Sequence, residues 1–147
     1  MKRRNIHCLL LIFLLNILAG CIRAYYTPDI ILKDNGQPCI SIPRSEDILR
    51  TNRLFNITLA TVSLPVDGKE LSVKNYDNPE NQYYVKAQEC IDFNYYFKND
   101  FTYQIDFISV EKDQKAKFWE VLIRITKDKD GNLKLLNDNE VNLDDIN

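Results

Sequence analysis

Two stretches of alternating residues constrain the fold of this chain more than any other feature. The first stretch carries apolar side chains at every second position: Phe101, Tyr103, Ile105 and Phe107. The second repeats the pattern with Trp119, Val121, Ile123 and Ile125. Successive side chains of a strand point to opposite faces, so each stretch predicts a β-strand with one buried face and one wet face.

Shorter strands and turns are predicted elsewhere. Asn35-Gly36 is typical of a tight turn, and it separates strand-like residues 29–33 from residues 39–42. Pro38 has no amide hydrogen, so it fits only the first residue of a strand or a sheet edge. Further strands are expected in residues 55–64, near Leu71 and in residues 133–136, with a short helical turn at residues 45–50. Residues 82–91 are expected to be extended.

This order of elements predicts the fold class. Roughly seven or eight short strands with almost no helical period favour an all-β, mostly antiparallel immunoglobulin-like β-sandwich, although a jelly roll or a small barrel stays open. Tyr95-Tyr96 and Phe101-Thr102-Tyr103 flank a turn in the manner of the tyrosine-bearing corner of such sandwiches. A chain of 147 residues with 45% hydrophobic content suits one domain. We place that domain at residues 29–136, followed by an acidic flexible tail at 137–147.

Residues 1–20 have the pattern of an export signal. A basic start at residues 2–4 precedes an unbroken apolar run from Cys8 to Leu15, and Leu18-Ala19-Gly20 is a small-residue exit. The apolar run is about half of the roughly 20 residues that a spanning helix needs. We therefore expect this segment to be removed, so that the mature chain begins at Cys21.

The tetrapeptide Leu18-Ala19-Gly20-Cys21 resembles the lipobox of bacterial lipoproteins. The resemblance implies that the sulfur of Cys21 carries diacylglycerol and that residues 21–28 form a lipidated tether. Two or more acyl chains give lasting membrane anchorage where one chain does not. Residue 22 is Ile rather than the Asp that retains lipoproteins at the inner membrane in enteric bacteria, which implies an outer-membrane address facing the periplasm.

Cys39 and Cys90 are the cysteines that remain after Cys8 and Cys21 are assigned. Export leads to an oxidising compartment, where two remaining cysteines are expected to form a disulfide. Closing so long a loop contributes roughly 4 kcal/mol of stability in the chain-entropy description. The alternative is a pair of reduced, buried thiols.

The charge of the mature chain bears on its partners. Removal of residues 1–20 leaves 16 basic and 21 acidic residues, a net charge of −5. Repulsion from phosphates argues against nucleic acid as a partner, and the charge suits a basic protein. Simple solubility is the competing explanation for a mildly acidic exported domain.

The predicted mature chain lacks the residue patterns that enzymes commonly use for catalysis. Its one histidine, His7, lies in the export signal, which removes the commonest general base and metal ligand from the mature chain. The carboxylates Asp92, Asp100, Asp106 and Glu120 lie on or near predicted strands, where two of them could form a catalytic pair. Nothing in their spacing requires such a pair, and solvated outward faces explain them better. Asp128-Lys129-Asp130-Gly131 fits a hairpin turn better than a calcium loop. We expect no catalytic residue, no metal and no cofactor.

Three pairs of adjacent tyrosines stand out: Tyr25-Tyr26, Tyr83-Tyr84 and Tyr95-Tyr96. Adjacent residues of a strand face opposite sides, so one member of each strand-borne pair is expected to face outward. Exposed tyrosines beside acidic residues would suit a protein-binding patch. Packing of the rings over the core is the alternative.

NGQPCISIP (residues 35–43) and QECIDFNYYFKNDFTYQIDF (residues 88–107), behind the lipobox, resemble small bacterial lipoproteins assigned as type VI secretion immunity proteins of the periplasm. In that family a turn leads into a cysteine-containing strand, and a second cysteine precedes an aromatic segment. The resemblance implies a membrane-anchored immunity protein that binds and neutralises a protein toxin. A structural or assembly lipoprotein that binds an envelope protein is the alternative function.

Overall fold

The computed structural model describes residues 24–48, 52–112 and 114–141. These residues form nine β-strands and three short 3₁₀ helices, the latter at Arg44–Asp47, Pro79–Asn81 and Asp138–Glu140. The strands are β1 (Tyr25–Tyr26), β2 (Asp29–Leu32), β3 (Pro38–Ser41), β4 (Phe55–Ser63), β5 (Glu70–Asn75), β6 (Tyr83–Val85), β7 (Thr102–Val110), β8 (Lys117–Lys127) and β9 (Leu133–Asn137).

A seven-stranded sheet forms the larger layer of the fold. Its centre is built from the three longest strands, with β7 antiparallel to both β4 and β8. The two edges are each shared by two short strands: β5 and β6 pair with β4, and β1 and β9 pair with β8. β1 is parallel to β8, whereas the other pairings in the described residues are antiparallel.

The second layer is built on the antiparallel hairpin of β2 and β3. The amides of Gln88 and Ile91 donate to the carbonyls of Ile42 and Ile40, at 2.9 Å each, so residues 88–91 follow β3 like a third strand. The Cys39–Cys90 disulfide joins the same two segments and confirms the predicted pairing. Pro38 is the first residue of β3, a position that needs no amide donor.

The core lies between the two layers and follows the predicted alternation. Tyr103, Ile105 and Phe107 of β7 are buried, as are Trp119, Val121, Ile123 and Ile125 of β8. The Trp119 ring stacks on Phe107 with centroids 5.5 Å apart, and its indole N–H donates to the Ser109 hydroxyl at 2.8 Å. Each fully buried side chain of this size contributes about 1.5–3 kcal/mol.

The predicted tyrosine corner is present. The Tyr103 hydroxyl accepts a hydrogen bond from the amide of Lys98 at 3.0 Å, five residues upstream. Burial raises the pKa of Tyr103 to about 12, so the hydroxyl stays protonated at neutral pH. The predicted all-β, mostly antiparallel immunoglobulin-like sandwich with one disulfide is confirmed.

The prediction was wrong for the first two residues of the first alternating stretch. Phe101, expected in the buried face, is 49% exposed, and Thr102, expected on the wet face, is buried. The reason is a turn: Asp100 adopts a left-handed conformation with φ 65° and its amide donates to the Ile125 carbonyl at 2.7 Å. β7 therefore begins one residue later, at Thr102.

The ends of the chain stay predictions. Residues 1–23, which contain the predicted export signal and Cys21, and residues 142–147 lie outside the described residues. Within residues 21–28, expected to be a tether, Tyr25 and Tyr26 pair with β8 as β1. Within the expected tail, Val141 is buried. β1 pairs with β8 at positions that β9 leaves free, and Asp138 of the expected tail accepts the Leu122 amide of β8 at 3.0 Å.

Candidate binding face of the large sheet

The large sheet has an outer face made by the side chains that alternate with the core residues of β4, β7 and β8. The strand register sets these side chains in rows across the sheet, because residues directly opposite each other share a face. One row is apolar at its centre and aromatic towards β1: Asn75, Leu59, Ile108, Phe118 and Tyr25. Leu59, Ile108 and Phe118 are half-buried, so this row offers apolar surface.

The neighbouring row carries two carboxylates. It runs Val73, Thr61, Asp106, Glu120, with Asp106 directly opposite Glu120. Opposed side chains on antiparallel strands have Cβ atoms about 4.5–5.5 Å apart, and like charges at such positions repel. Two of the four carboxylates singled out in the sequence are thus brought together.

Their environment disfavours both negative charges. Burial raises the pKa of Asp106, and the hydrogen bond from the Gln104 amide to its Oδ1, at 3.4 Å, only partly opposes this. The pKa of Glu120 is raised first by burial, then by the charges of Asp106 and Asp138. A cation brought by a partner would therefore be attracted to this pair more strongly than to fully solvated carboxylates.

The other two candidate carboxylates lie elsewhere and serve local structure. Asp92 accepts the amide of Asn94 at 2.7 Å in a turn, and Asp100 accepts the Thr126 hydroxyl at 2.9 Å. Asp128 accepts the amides of Asp130 and Asn132, at 2.9 and 2.8 Å. These bonds lower the pKa of Asp128, with Asn132 the main cause, and they confirm the predicted hairpin turn. In the described residues no three His, Cys, Asp or Glu side chains cluster as metal ligands would.

Tyrosines frame the outer face. Tyr84 lies opposite Asn56 on this face and is 47% exposed, and Tyr25 at the β1 edge is 57% exposed. Tyr83, the neighbour of Tyr84, packs against the core instead, as does Tyr95 of the third pair. The prediction that one member of the Tyr83-Tyr84 pair faces outward is confirmed. Tyr25 and Tyr26 are both exposed, although the Tyr26 ring also lies 5.5 Å from the ring of Trp119.

Sequence reasoning missed the apolar character of the outer face. Leu59, Ile108 and Leu122 stand at the polar positions of their alternating strands, and that departure from alternation was the available signal. It also missed Gln37, whose side-chain oxygen accepts the amide of Phe97 at 2.9 Å and whose amide donates to the Phe97 carbonyl at 3.1 Å. A glutamine that replaces a strand pairing leaves no pattern in the sequence.

The family follows from a comparison with known domains. Residues 25–128 match the family model described as Domain of unknown function (DUF7480). The chain belongs to this family. The match begins with β1 and ends just after β8, so it contains both layers and the central strands of the outer face. No curated protein and no solved structure matches the chain. None of the helices in the described residues is long and apolar enough to cross a membrane.

Proposed function

We propose that this DUF7480 chain is an exported lipoprotein, anchored through Cys21 and facing the periplasm from the outer membrane. In this proposal it is an immunity protein that binds a type VI secretion toxin and neutralises it by occupying the toxin surface. No cofactor and no reaction of its own are required. The sequence resemblance of residues 35–43 and 88–107 to such lipoproteins is the starting point.

Two features support the compartment. Leu18-Ala19-Gly20-Cys21 follows a short apolar run with a basic start, which is the pattern of a lipoprotein signal. The disulfide between Cys39 and Cys90 supports an oxidising environment, since disulfides are rare in the reducing cytosol. Acylation of Cys21 would then hold the domain at the outer membrane, on the periplasmic side that an incoming toxin reaches.

The outer face of the large sheet is the observation that carries the binding function. It combines half-buried aliphatic side chains, exposed tyrosines at two edges and a central pair of carboxylates. Apolar and aromatic contact area with a few desolvated polar groups is typical of protein interfaces. A sheet face also needs no rearrangement to meet a partner.

The charges indicate the chemistry of the partner. Asp106 and Glu120 repel one another in the free protein, so a lysine or arginine of the toxin placed between them would relieve that repulsion on binding. The mature chain, with a net charge of −5, would also attract a basic protein during encounter. We therefore infer that the toxin presents a basic surface to the sheet.

The test is protection of cells against a cognate toxin. The full chain is expressed beside each periplasm-directed toxin encoded next to it, and survival is compared with that of Glu120→Lys and Asp130→Lys. Both variants change the charge equally, but Asp130 lies in the turn after β8, away from the outer face. Glu120→Lys is expected to lose protection and to raise the Kd roughly tenfold or more, which corresponds to about 1.4 kcal/mol.

Asp130→Lys is expected to protect like the wild type. Failure of the wild-type chain to protect against any such toxin, together with its co-purification with an envelope complex, would instead favour the structural or assembly lipoprotein. Equal protection by both variants would remove the outer face from the proposal.

A further inference from the structure

The start of the folded domain is very close to Cys21. Ala24 is the first described residue and β1 begins at Tyr25, where it runs parallel to β8. Three residue steps separate Cys21 from Ala24 and span at most about 11 Å. If the sulfur of Cys21 is held at the bilayer surface, the end of the sandwich at which β1 and β8 start must lie next to that surface.

Five exposed residues lie at or next to this end, which we call the tether end: Tyr25, Ile48, Leu54, Lys112 and Lys115. Lys117, the first residue of β8, forms an ion pair with Glu46, which brings the 3₁₀ helix before Ile48 to this end. Arg53 pairs with Glu111 at 3.1 Å, which brings the residue before Leu54 to the loop of Lys112 and Lys115.

The tether end exposes apolar side chains that a solvated surface would not favour. Ile48 is 72% exposed and Leu54 is 52% exposed, and Tyr25 stands exposed at the neighbouring edge. Exposed aliphatic side chains with tyrosine and lysine nearby are typical of surfaces at the membrane interface. There the tyrosine rings lie at headgroup depth and the lysines reach towards phosphates.

The charges of the tether end also suit a phosphate layer. Among the described acidic residues near the tether end, Glu111 pairs with Arg53 and Glu46 pairs with Lys117. The carboxylate of Asp47 accepts the amides of Asn52 and Arg53 at 3.2 Å each. Lys112 and Lys115 remain exposed. A shallow cavity of 480 Å³ between Ala24, Tyr26 and residues 114–118 adds room for a headgroup.

We propose that the tether end docks onto the phospholipid headgroup layer, with Ile48 and Leu54 inserted and Lys115 near the phosphates. This rests on the proposed acylation of Cys21. A protein could not fit between the tether end and the bilayer. A single helix with its side chains is about 10–12 Å across, which is as wide as the longest distance that the residues between Cys21 and Ala24 can span. Docked in this way, the strands lead away from the membrane and the outer face stands free for the toxin.

The test uses the lipidated full-length product in liposomes of phosphatidylethanolamine and phosphatidylglycerol. Amine labelling of Lys115, just before β8, is compared with that of Lys129, just after it. The ten residue steps of β8 from Lys117 to Lys127 span about 33 Å at 3.3 Å per residue. The reference is the same chain with Cys21→Ala, exported with an ordinary signal peptide. Docking predicts that the anchored form labels Lys115 several-fold more slowly, with Lys129 unchanged; equal rates at Lys115 would overturn the proposal.

A variant separates docking from mere proximity to the bilayer. Ile48→Asp combined with Leu54→Asp should restore labelling of Lys115, whereas Val66→Asp, an equally exposed apolar site on the β4–β5 turn, should not. Persistent slow labelling in the double variant would contradict docking. A chain that does not carry lipid at all would fail to enter the liposomes, which tests the proposed anchor and not the docking surface.

Discussion

Glu120 is the residue at which stability and proposed function oppose each other. Burial on the sheet surface, and then the negative charge of the facing Asp106, raise the pKa of its carboxyl above the ordinary value of 4.5. A protonated glutamate has no such penalty. The contribution of Glu120 to stability therefore becomes unfavourable as the pH rises from that ordinary value through the raised folded-state pKa.

Glu120→Gln is expected to increase the free energy of unfolding at pH 7 by roughly a few tenths of a kcal/mol, the scale of a cross-strand repulsion that solvent partly screens. The gain should shrink as the pH falls below the folded-state pKa, and vanish where glutamate is protonated in both states. Urea unfolding across this range measures it. Glu140→Gln, which removes an exposed ion pair with Lys134, should bring no gain. A destabilising Glu120→Gln at pH 7 would contradict the raised pKa.

Tyr103 stabilises the corner before β7 through its hydroxyl. Tyr103→Phe keeps the ring among Tyr95 and Phe97 but removes the acceptor for the Lys98 amide, at a cost of about 1 kcal/mol. Thermal unfolding should show the loss, and hydrogen exchange should show faster exchange at the Lys98 amide. Tyr84→Phe is the control, since that hydroxyl lies on the surface and donates to the exposed Gln82 side chain at 2.9 Å. Equal stability of the two variants would mean that the corner bond contributes nothing.

Single residues also mark where sequence reasoning stops. The burial of Tyr103, Ile105 and Phe107 was predictable because alternation fixes faces once a strand exists. The burial of Thr102 and the exposure of Phe101 were not predictable. They depend on the left-handed backbone conformation of Asp100, which an aspartate can adopt but which the sequence does not require.

Among the elements, the disulfide between β3 and the irregular segment after β6 has the largest expected effect. Residues 86–101 contain no regular strand, yet they complete the second layer through bonds to β3, Gln37 and Ser72. The sequence indicated an extended segment here. It could not show that side chains, rather than a backbone ladder, hold much of it in place.

Replacing both Cys39 and Cys90 with alanine is expected to cost roughly 4 kcal/mol, the entropy of closing a loop of this length in the unfolded chain. Urea unfolding of the double variant measures the cost, and reduction of the wild-type protein should give nearly the same loss. The double variant, measured with and without reductant, shows whether the reductant affects stability in any way other than by breaking this disulfide. A loss below about 1 kcal/mol would mean that the other bonds of the segment suffice.

At the scale of the whole molecule, strand order gives the two ends of the sandwich different surroundings. β1 enters beside the first residues of β8, so the chain from Cys21 reaches one end, while the turns after β4 and β8 lie at the other. The fold class and the disulfide were predictable from alternation and export. The edge strand β1 was not, since two tyrosines carry no periodicity from which to infer a pairing.

The whole account depends on the fate of one thiol. Mass spectrometry of the amino-terminal peptide from the membrane fraction tests it most directly. The account predicts a peptide that begins at Cys21 and carries thioether-linked diacylglycerol, and loss of that peptide from membranes when Cys21 is changed to alanine. An amino-terminal peptide that retains residues 1–20, or one that begins at Cys21 without any acyl group, would contradict it.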